Sequence, residues 1–132
     1  MKPEVHKAWI DALRSGKYRQ TRNSMVRVCY DDGSLSHCCL SVLNDLGSKA
    51  NPDIGLELKK IGNEKYAYYQ WHEGPGKEAS VSRLATVLCE WAGVDQNFKI
   101  NGISPVILND RNNKSFKEIA DLLEQAGPEN VK

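Results

Sequence analysis

Residues 34–47 read SLSHCCLSVLNDLG and predict the second helix of a chain in which helices and strands alternate. Four apolar residues share one helical stripe: Cys39, Leu40, Leu43 and Leu46. Ser34 or Ser36 is a candidate N-cap, because a hydroxyl oxygen there can accept a hydrogen bond from the first turn. Gly47 is the candidate residue just beyond the helix end. The two adjacent cysteines would then lie in the first turn.

These cysteines raise the question of whether they react or pack. The helix dipole favours a thiolate in the first turn, and His37 precedes Cys38 directly. Neighbouring helical residues project about 100° apart, however, so His37 is badly placed to act as a base for Cys38. Structural zinc draws its ligands from two separated pairs, which His37, Cys38 and Cys39 do not form. We therefore interpret the cysteines as packing residues and expect no enzyme, no metal site and no cofactor.

The segments before this helix predict a helix and a strand. PEVHKAWIDALRSG, residues 3–16, has its apolar residues on one helical face and a glycine at the end. MVRVCY, residues 25–30, alternates with a period of two and predicts a strand, which Asp31-Asp32-Gly33 would close as a turn.

The segments after the helix predict a hairpin, a helix, a second hairpin and a final helix. The first hairpin spans residues 54–71 with a turn at Gly62-Asn63. The third helix is predicted over residues 80–93 from one apolar stripe: Val81, Leu84, Leu88 and Trp91. Asn101-Gly102 predicts a short hairpin whose second arm, with Pro105, would be an edge strand. The last helix begins at Ser115 with the S-x-x-E capping box and ends at Gly127-Pro128.

Length and composition agree with one folded domain. The 132 residues are 40% hydrophobic and 27% charged, and the formal net charge is +1. We predict a single α+β domain over residues 1–132, with about four helices packed on a small, mainly antiparallel sheet. No apolar run has the length of a membrane span, and the N-terminus is not a signal peptide, so we expect a cytoplasmic protein and no membrane partner.

Positive charge is concentrated near the N-terminus. Up to Tyr30 there are seven basic and two acidic residues, an excess of five positive charges. LRSGKYRQTR, residues 13–22, follows a predicted helix end and predicts a phosphate site. The predicted ligand contacts in this segment are Arg14, Lys17, Tyr18, Arg19 and Arg22. A solvated basic edge is the alternative interpretation of the same charges.

Aromatic residues of the predicted hairpin could stack on a nucleobase, and of these Tyr69 and Trp71 are the candidate ligand contacts. Half of any alternating strand faces the core, which is the alternative role for these rings. The hairpin also carries three glutamates: Glu57, Glu64 and Glu73. This mixed charge is not typical of a nucleic-acid surface, so we do not expect nucleic acid to be the partner.

Four segments together resemble a family of small proteins common in phages and prophages. They are ALRSGKYRQ (12–20), CCLSVLNDLG (38–47), LCEWAGV (88–94) and VILNDRNNKSFKEIADLLE (106–124). Ser41 and Asn44 stand where that family usually has glycine and cysteine. The resemblance implies an accessory protein made in a bacterial host cytoplasm, and proteins of this type often inhibit host defence.

Two functions follow as hypotheses. The first is a non-enzymatic counter-defence protein that sequesters a phosphate-containing nucleotide signal through the basic segment and the aromatic residues. The alternative is an inhibitor that binds a host bacterial protein through a strand edge or an aromatic patch. A homo-oligomer with a site shared between subunits is compatible with either function.

Overall fold

Helices and short strands alternate in the computed structural model, which describes residues 1–23, 26–28, 33–62, 68–74 and 83–132. The helices are α1 (Pro3–Arg14), α2 (Cys39–Ala50), α3 (Cys89–Ala92) and α4 (Phe116–Ala126). The strands are β1 (Arg19–Gln20), β2 (Val26–Val28), β3 (Leu35–His37), β4 (Glu57–Ile61) and β5 (Tyr68–His72). Short 3₁₀ turns lie at Pro52–Ile54, Thr86–Leu88 and Pro128–Asn130, and a π-helical segment spans Ile107–Arg111. The predicted α+β fold class is confirmed.

The five described strands form one sheet in the order β1-β3-β2-β5-β4. β1 and β3 are parallel, and the other three pairings are antiparallel. The predicted strand at residues 25–30 and the predicted hairpin correspond to β2 and to the β4–β5 pair. β1 and β3 were not predicted, because two or three residues are too few to show an alternating pattern.

The core lies where α1, α2 and α4 meet. Trp9 of α1 is fully buried, and its indole N–H donates to the carbonyl oxygen of Cys39 at 3.0 Å.

The first helix ends as predicted, with Ser15 as C-cap and Gly16 at φ +74°. None of the helices within the described ranges is both long and apolar enough to cross a membrane.

The last helix also agrees with its prediction. The Ser115 hydroxyl accepts from the Glu118 N–H, and the Glu118 carboxylate accepts from the Ser115 N–H, each at 3.1 Å. These two bonds are the capping box, and the Ser115 contact lowers the pKa of Glu118. Helix α4 then ends before Gly127-Pro128.

The predicted limits of α2 are wrong at both ends. Ser36 belongs to β3, and Cys38 is the N-cap, with its sulfur accepting from the Ser41 N–H at 3.4 Å. Strand pairing of residues 35–37 with β2 delays the start of the helix. Gly47 lies inside α2, and the chain leaves the helix only at Asn51.

Within the described residues, the predicted helix at residues 80–93 is confirmed only for its C-terminal part. The structure has the 3₁₀ turn at Thr86–Leu88 and then α3, which ends at Gly93 as predicted. Ala85 has an extended backbone (ψ 135°), and its N–H donates to the Asn44 side chain rather than to a helical carbonyl. A tertiary hydrogen bond thus replaces the helical hydrogen bond in this segment.

The predicted hairpin around Asn101-Gly102 is reduced to its turn. Ile100 forms isolated bridges with Ile103 and Val131, and no strand follows in this described part of the chain. Pro105 instead opens a helical stretch, where its missing N–H is not needed. The parts of the predictions that fall on residues 25, 29–32, 63–67 and 80–82 lie outside the described residues.

Candidate ligand-binding cleft

Three of the four basic residues predicted to bind a ligand, Arg14, Arg19 and Arg22, form contacts within the protein. Arg14 Nη2 lies 2.8 Å from Asp121 Oδ1, and Arg14 Nη1 lies 2.7 Å from Glu124 Oε2. Hydrogen bonds to Glu124 and Asp121 raise the pKa of Arg14. The charge of this guanidinium is therefore balanced by two carboxylates of α4.

The other predicted basic residues, Lys17, Arg19 and Arg22, form no ion pair with the α4 carboxylates that bind Arg14. Arg22 Nη2 donates to the carbonyl oxygens of Asn113 and Lys114, both at 3.3 Å, just before α4 begins. Arg19 Nη1 donates to Ser34 Oγ at 3.3 Å, and Lys17 is exposed. The partners of Arg14 lie on α4, whereas those of Arg22 precede this helix, so different segments hold these two side chains.

Tyr18 belongs to a polar cluster on α2. Its hydroxyl donates to the Asp45 carboxylate, and Lys49 Nζ lies 2.8 Å from Asp45 Oδ2. The Tyr18 ring meets the His37 ring edge-on, with centroids 5.3 Å apart. Burial and the Asp45 hydrogen bond raise the pKa of Tyr18 to about 12. Tyr18 is thus a neutral phenol whose hydroxyl is already used.

The two aromatic candidates differ in exposure. Trp71 is 3% exposed, and its indole N–H donates to Ser41 Oγ at 3.0 Å. Its ring packs in the core, so the hypothesis that Trp71 stacks on a ligand does not fit this position. Tyr69 is half-buried and lies between Val26 of β2 and Lys60 of β4 in the sheet.

The adjacent cysteines are both buried. Burial raises the pKa of Cys38 to about 12 and also raises that of Cys39. Cys39 is fully buried, and its thiol donates to the carbonyl oxygen of Pro105 at 3.5 Å. The interpretation of Cys39 as a packing residue is confirmed. No three His, Cys, Asp or Glu side chains of the described ranges form a group able to hold a metal ion.

A cleft of about 470 Å³ lies between the segment at residues 83–98 and the segment at residues 104–111. We call it the Arg83/Arg111 cleft. Its lining combines charged, amide and apolar side chains. They belong to Asn23, Leu40, Arg83, Gln96, Asn97, Phe98, Ser104, Pro105, Val106, Ile107, Asp110 and Arg111.

Asn44 holds the first wall of this cleft. The side chain of this fully buried residue accepts from the Ala85 N–H at 3.0 Å and donates to the Arg83 carbonyl oxygen at 3.4 Å. The second bond is long, so the first fixes the backbone more firmly. Together they attach the backbone at Arg83 to α2.

Asn109 holds the second wall. Its Oδ1 accepts from Gln20 Nε2 at 2.9 Å and from the Cys39 N–H at 3.3 Å. Its Nδ2 donates to the Thr21 carbonyl oxygen at 2.9 Å and to Asp110 Oδ1 at 2.8 Å. This fully buried amide thus fixes the residues that precede Arg111.

The charges of the cleft are two guanidiniums and one carboxylate. Arg83 and Arg111 are both exposed, and neither forms an ion pair with any residue in the described part of the chain. Such guanidiniums are suited to bind phosphate or carboxylate in a bidentate manner.

No sequence pattern indicated Arg83, because nothing in a linear pattern places it opposite residues 104–111. Arg111 lies within residues 106–124, one of the four segments that carry the family resemblance. That position was the one sequence signal available for Arg111. Neither the comparison with curated proteins nor that with solved structures finds a matching protein. The family model described as a domain of unknown function (DUF8296) matches residues 1–127, and the chain therefore belongs to this family.

Proposed function

We propose that the protein binds a small phosphate-bearing ligand of the nucleotide class in the Arg83/Arg111 cleft and sequesters it without a chemical step. The observation that carries the proposal is the pair of arginines that line one cleft without a carboxylate partner among the described residues. Arginine is the side chain that best matches the geometry of a phosphate group.

Size and lining support the same proposal. About 470 Å³ lies within the usual range for a small-molecule site. Leu40 and Phe98 are buried residues that contribute apolar surface to the cleft, and Pro105 adds more. A nucleotide combines an anionic group with a flat, partly apolar base, and both parts find complementary groups here.

The wider role that we propose is phage counter-defence in a bacterial cytoplasm. It rests on the sequence resemblance alone, since the cleft supports only the binding step. A protein that holds a nucleotide signal at near-stoichiometric amounts lowers the free concentration of that signal, and this requires no turnover.

The test is to load purified protein with a mixture of linear and cyclic nucleotides, wash it, denature it by heat and identify released molecules by mass spectrometry. We expect one nucleotide, chemically intact, at a near-stoichiometric amount. Release of an altered nucleotide would indicate an enzyme, and release of none would contradict the proposal.

Matched variants locate the site. Arg83→Gln and Arg111→Gln should each weaken binding tenfold or more, since each removes a charge-assisted contact to phosphate. Arg14→Gln should bind as the wild type does, because α4 carboxylates already occupy that side chain. Arg19→Glu tests the basic segment instead. Loss of binding in Arg19→Glu with full binding in both cleft variants would move the site to residues 13–22.

One observation favours the alternative function, a protein that binds a host protein. β4 is an edge strand of the sheet, and Tyr68 on its neighbour β5 is 44% exposed. A partner could add a strand at this edge. Lys59 and Lys60 of β4 are also exposed, and lysines on an edge strand oppose such pairing. Stoichiometric co-purification of one host protein, abolished by Tyr68→Ala, would support the alternative.

A further inference from the structure

We propose that Asp110 makes the cleft selective for ligands that donate hydrogen bonds from a part other than the phosphate, namely a ribose hydroxyl or an exocyclic amino group of the base. This inference rests on the proposed function and specifies the ligand class of the same site. The inference follows from the hydrogen bonds of the Asp110 carboxylate: one oxygen accepts from described residues of the protein, and the other does not.

Among the described residues, hydrogen bonds reach only one oxygen of the Asp110 carboxylate. Oδ1 accepts from the Asn23 N–H at 3.1 Å and from Asn109 Nδ2 at 2.8 Å. Oδ2 receives no hydrogen bond from any residue within the described ranges. Asp110 lines the cleft, and an ionised carboxylate only accepts hydrogen bonds. The cleft therefore contains an acceptor that a ligand donor can satisfy.

The orientation of this carboxylate is fixed before a ligand arrives. The donor to Oδ1, Asn109, is fully buried and is itself held by Gln20, Thr21 and the Cys39 N–H. Groups fixed in this way lose little entropy on binding, so their contacts contribute more to selectivity.

Gln96 provides a second acceptor in the same cleft. Its Nε2 donates to Thr86 Oγ1 at 2.6 Å and to the Leu84 carbonyl oxygen at 3.4 Å. The amide nitrogen is therefore used, which leaves Oε1 as the atom able to accept from a ligand. Two acceptors beside two guanidiniums are complementary to a ligand that has an anionic group and a separate donor group.

Repulsion adds to this selectivity. A negative charge at Asp110 opposes any ligand that places a second phosphate against it, because like charges in one site raise the free energy of binding. A nucleoside monophosphate satisfies both conditions. Its donor is either the ribose diol or an exocyclic amino group of the base, such as the 2-amino group of guanine.

The test is isothermal titration calorimetry on the full chain with four probes: guanosine 5′-monophosphate, its 2′,3′-dideoxy form, inosine 5′-monophosphate and inorganic phosphate. Relative to guanosine 5′-monophosphate, we expect loss of either the ribose hydroxyls or the 2-amino group to weaken binding about tenfold or more. If the weakened ligand is the dideoxy form, the sugar donates to Asp110; if it is inosine, the 2-amino group does. Equal affinity of the three nucleotides would overturn the inference.

Asp110→Asn provides the matched protein variant. The Asn oxygen would keep the place of Oδ1, so an N–H₂ group would replace Oδ2 and oppose the ligand donor. We expect weaker guanosine 5′-monophosphate binding, no remaining discrimination among the nucleotides, and unchanged or tighter binding of inorganic phosphate. Unchanged nucleotide discrimination in this variant would contradict the role of Asp110.

The outcomes separate the two proposals. If wild-type protein binds none of the four probes, the proposed function itself is wrong for the nucleoside monophosphates, and the inference about Asp110 is wrong with it. If the nucleotides bind equally, binding stands and only the selectivity is wrong. The comparison of probes uses wild-type protein, so it holds even if Asp110→Asn fails to fold.

Discussion

At the scale of single residues, Ser41 joins two buried side chains that are distant in sequence. Its Oγ accepts from the Trp71 indole at 3.0 Å and lies 2.8 Å from His37 Nδ1. Ser41 is fully buried. The hydroxyl thus satisfies two polar groups that would otherwise be buried without partners.

His37 makes the stability of the protein depend on pH. Burial lowers the pKa of His37, although Asp45 nearby acts in the opposite direction. The unfolded chain, with an ordinary histidine pKa of about 6.5, takes up a proton before the folded chain does. The stabilising contribution is therefore complete above about pH 6.5 and decreases as the pH falls below that value.

We expect the free energy of unfolding, measured by urea denaturation, to fall between pH 7 and pH 5 more in the wild type than in His37→Gln. Glutamine keeps a polar partner for Ser41 but does not titrate. Parallel pH profiles for the two proteins would show that His37 is not responsible.

At the scale of elements, Gly47 lets α2 lie against the segment that contains α3. A Cβ atom at this position would lie 2.5 Å from Leu88 Cδ1 and 2.9 Å from Trp91 Cζ3. Leu88 is fully buried, so a shift of its side chain would disturb its neighbours in the core. The glycine is thus present in the middle of a helix because of a close contact, and not because it ends the helix.

Gly47→Ala should therefore destabilise the protein, although alanine favours a helix by about 1 kcal/mol over glycine. Overpacking costs about 1–3 kcal/mol, which outweighs that gain by up to about 2 kcal/mol, so we expect a net loss of about 1 kcal/mol in chemical denaturation. In a Leu88→Ala background the same substitution should cost less, because the closest contact is gone. An increase in stability from Gly47→Ala alone would exclude this close contact.

At the scale of the whole molecule, Asn109 connects its own segment to two other parts of the chain. Its side chain binds the adjacent residues Gln20 of β1 and Thr21, and it also binds the Cys39 N–H at the start of α2. Gln20 in turn accepts from the Phe116 N–H with its Oε1 and donates to the Lys114 carbonyl oxygen. The parallel β1–β3 pair, α2 and α4 are thus linked by two amide side chains.

Asn109→Ala should lower the free energy of unfolding by on the order of 3 kcal/mol, because it leaves the buried groups of several segments without partners. The matched control is Asn112→Ala, which changes an exposed asparagine three residues away and should be within about 0.5 kcal/mol of the wild type. Equal stability of the two variants in urea denaturation would contradict the proposed role of Asn109.

The sequence determined the elements whose signal is local. Helix α1 has an apolar face and a terminal glycine, α4 has its capping box, and the β4–β5 hairpin has the alternation of a strand pair. These features depend on contacts within a few residues, so they can be recognised in a linear pattern. They were sufficient for the α+β fold class and for the interpretation of Cys39 as a packing residue.

Three features are set by the tertiary structure alone. They are the limits of α2, the absence of a helix at residues 83–85 despite a helical sequence pattern, and the position of the cleft. Each depends on a hydrogen bond or strand pairing between residues distant in sequence. The Asn44 side chain holds the backbone at residues 83–85, Asn109 holds residues beside Arg111, and β3 pairs with two other strands. The Arg14 and Arg22 side chains, close in sequence, are held by different partners, whereas Arg83 and Arg111, 28 positions apart in the sequence, line one cleft.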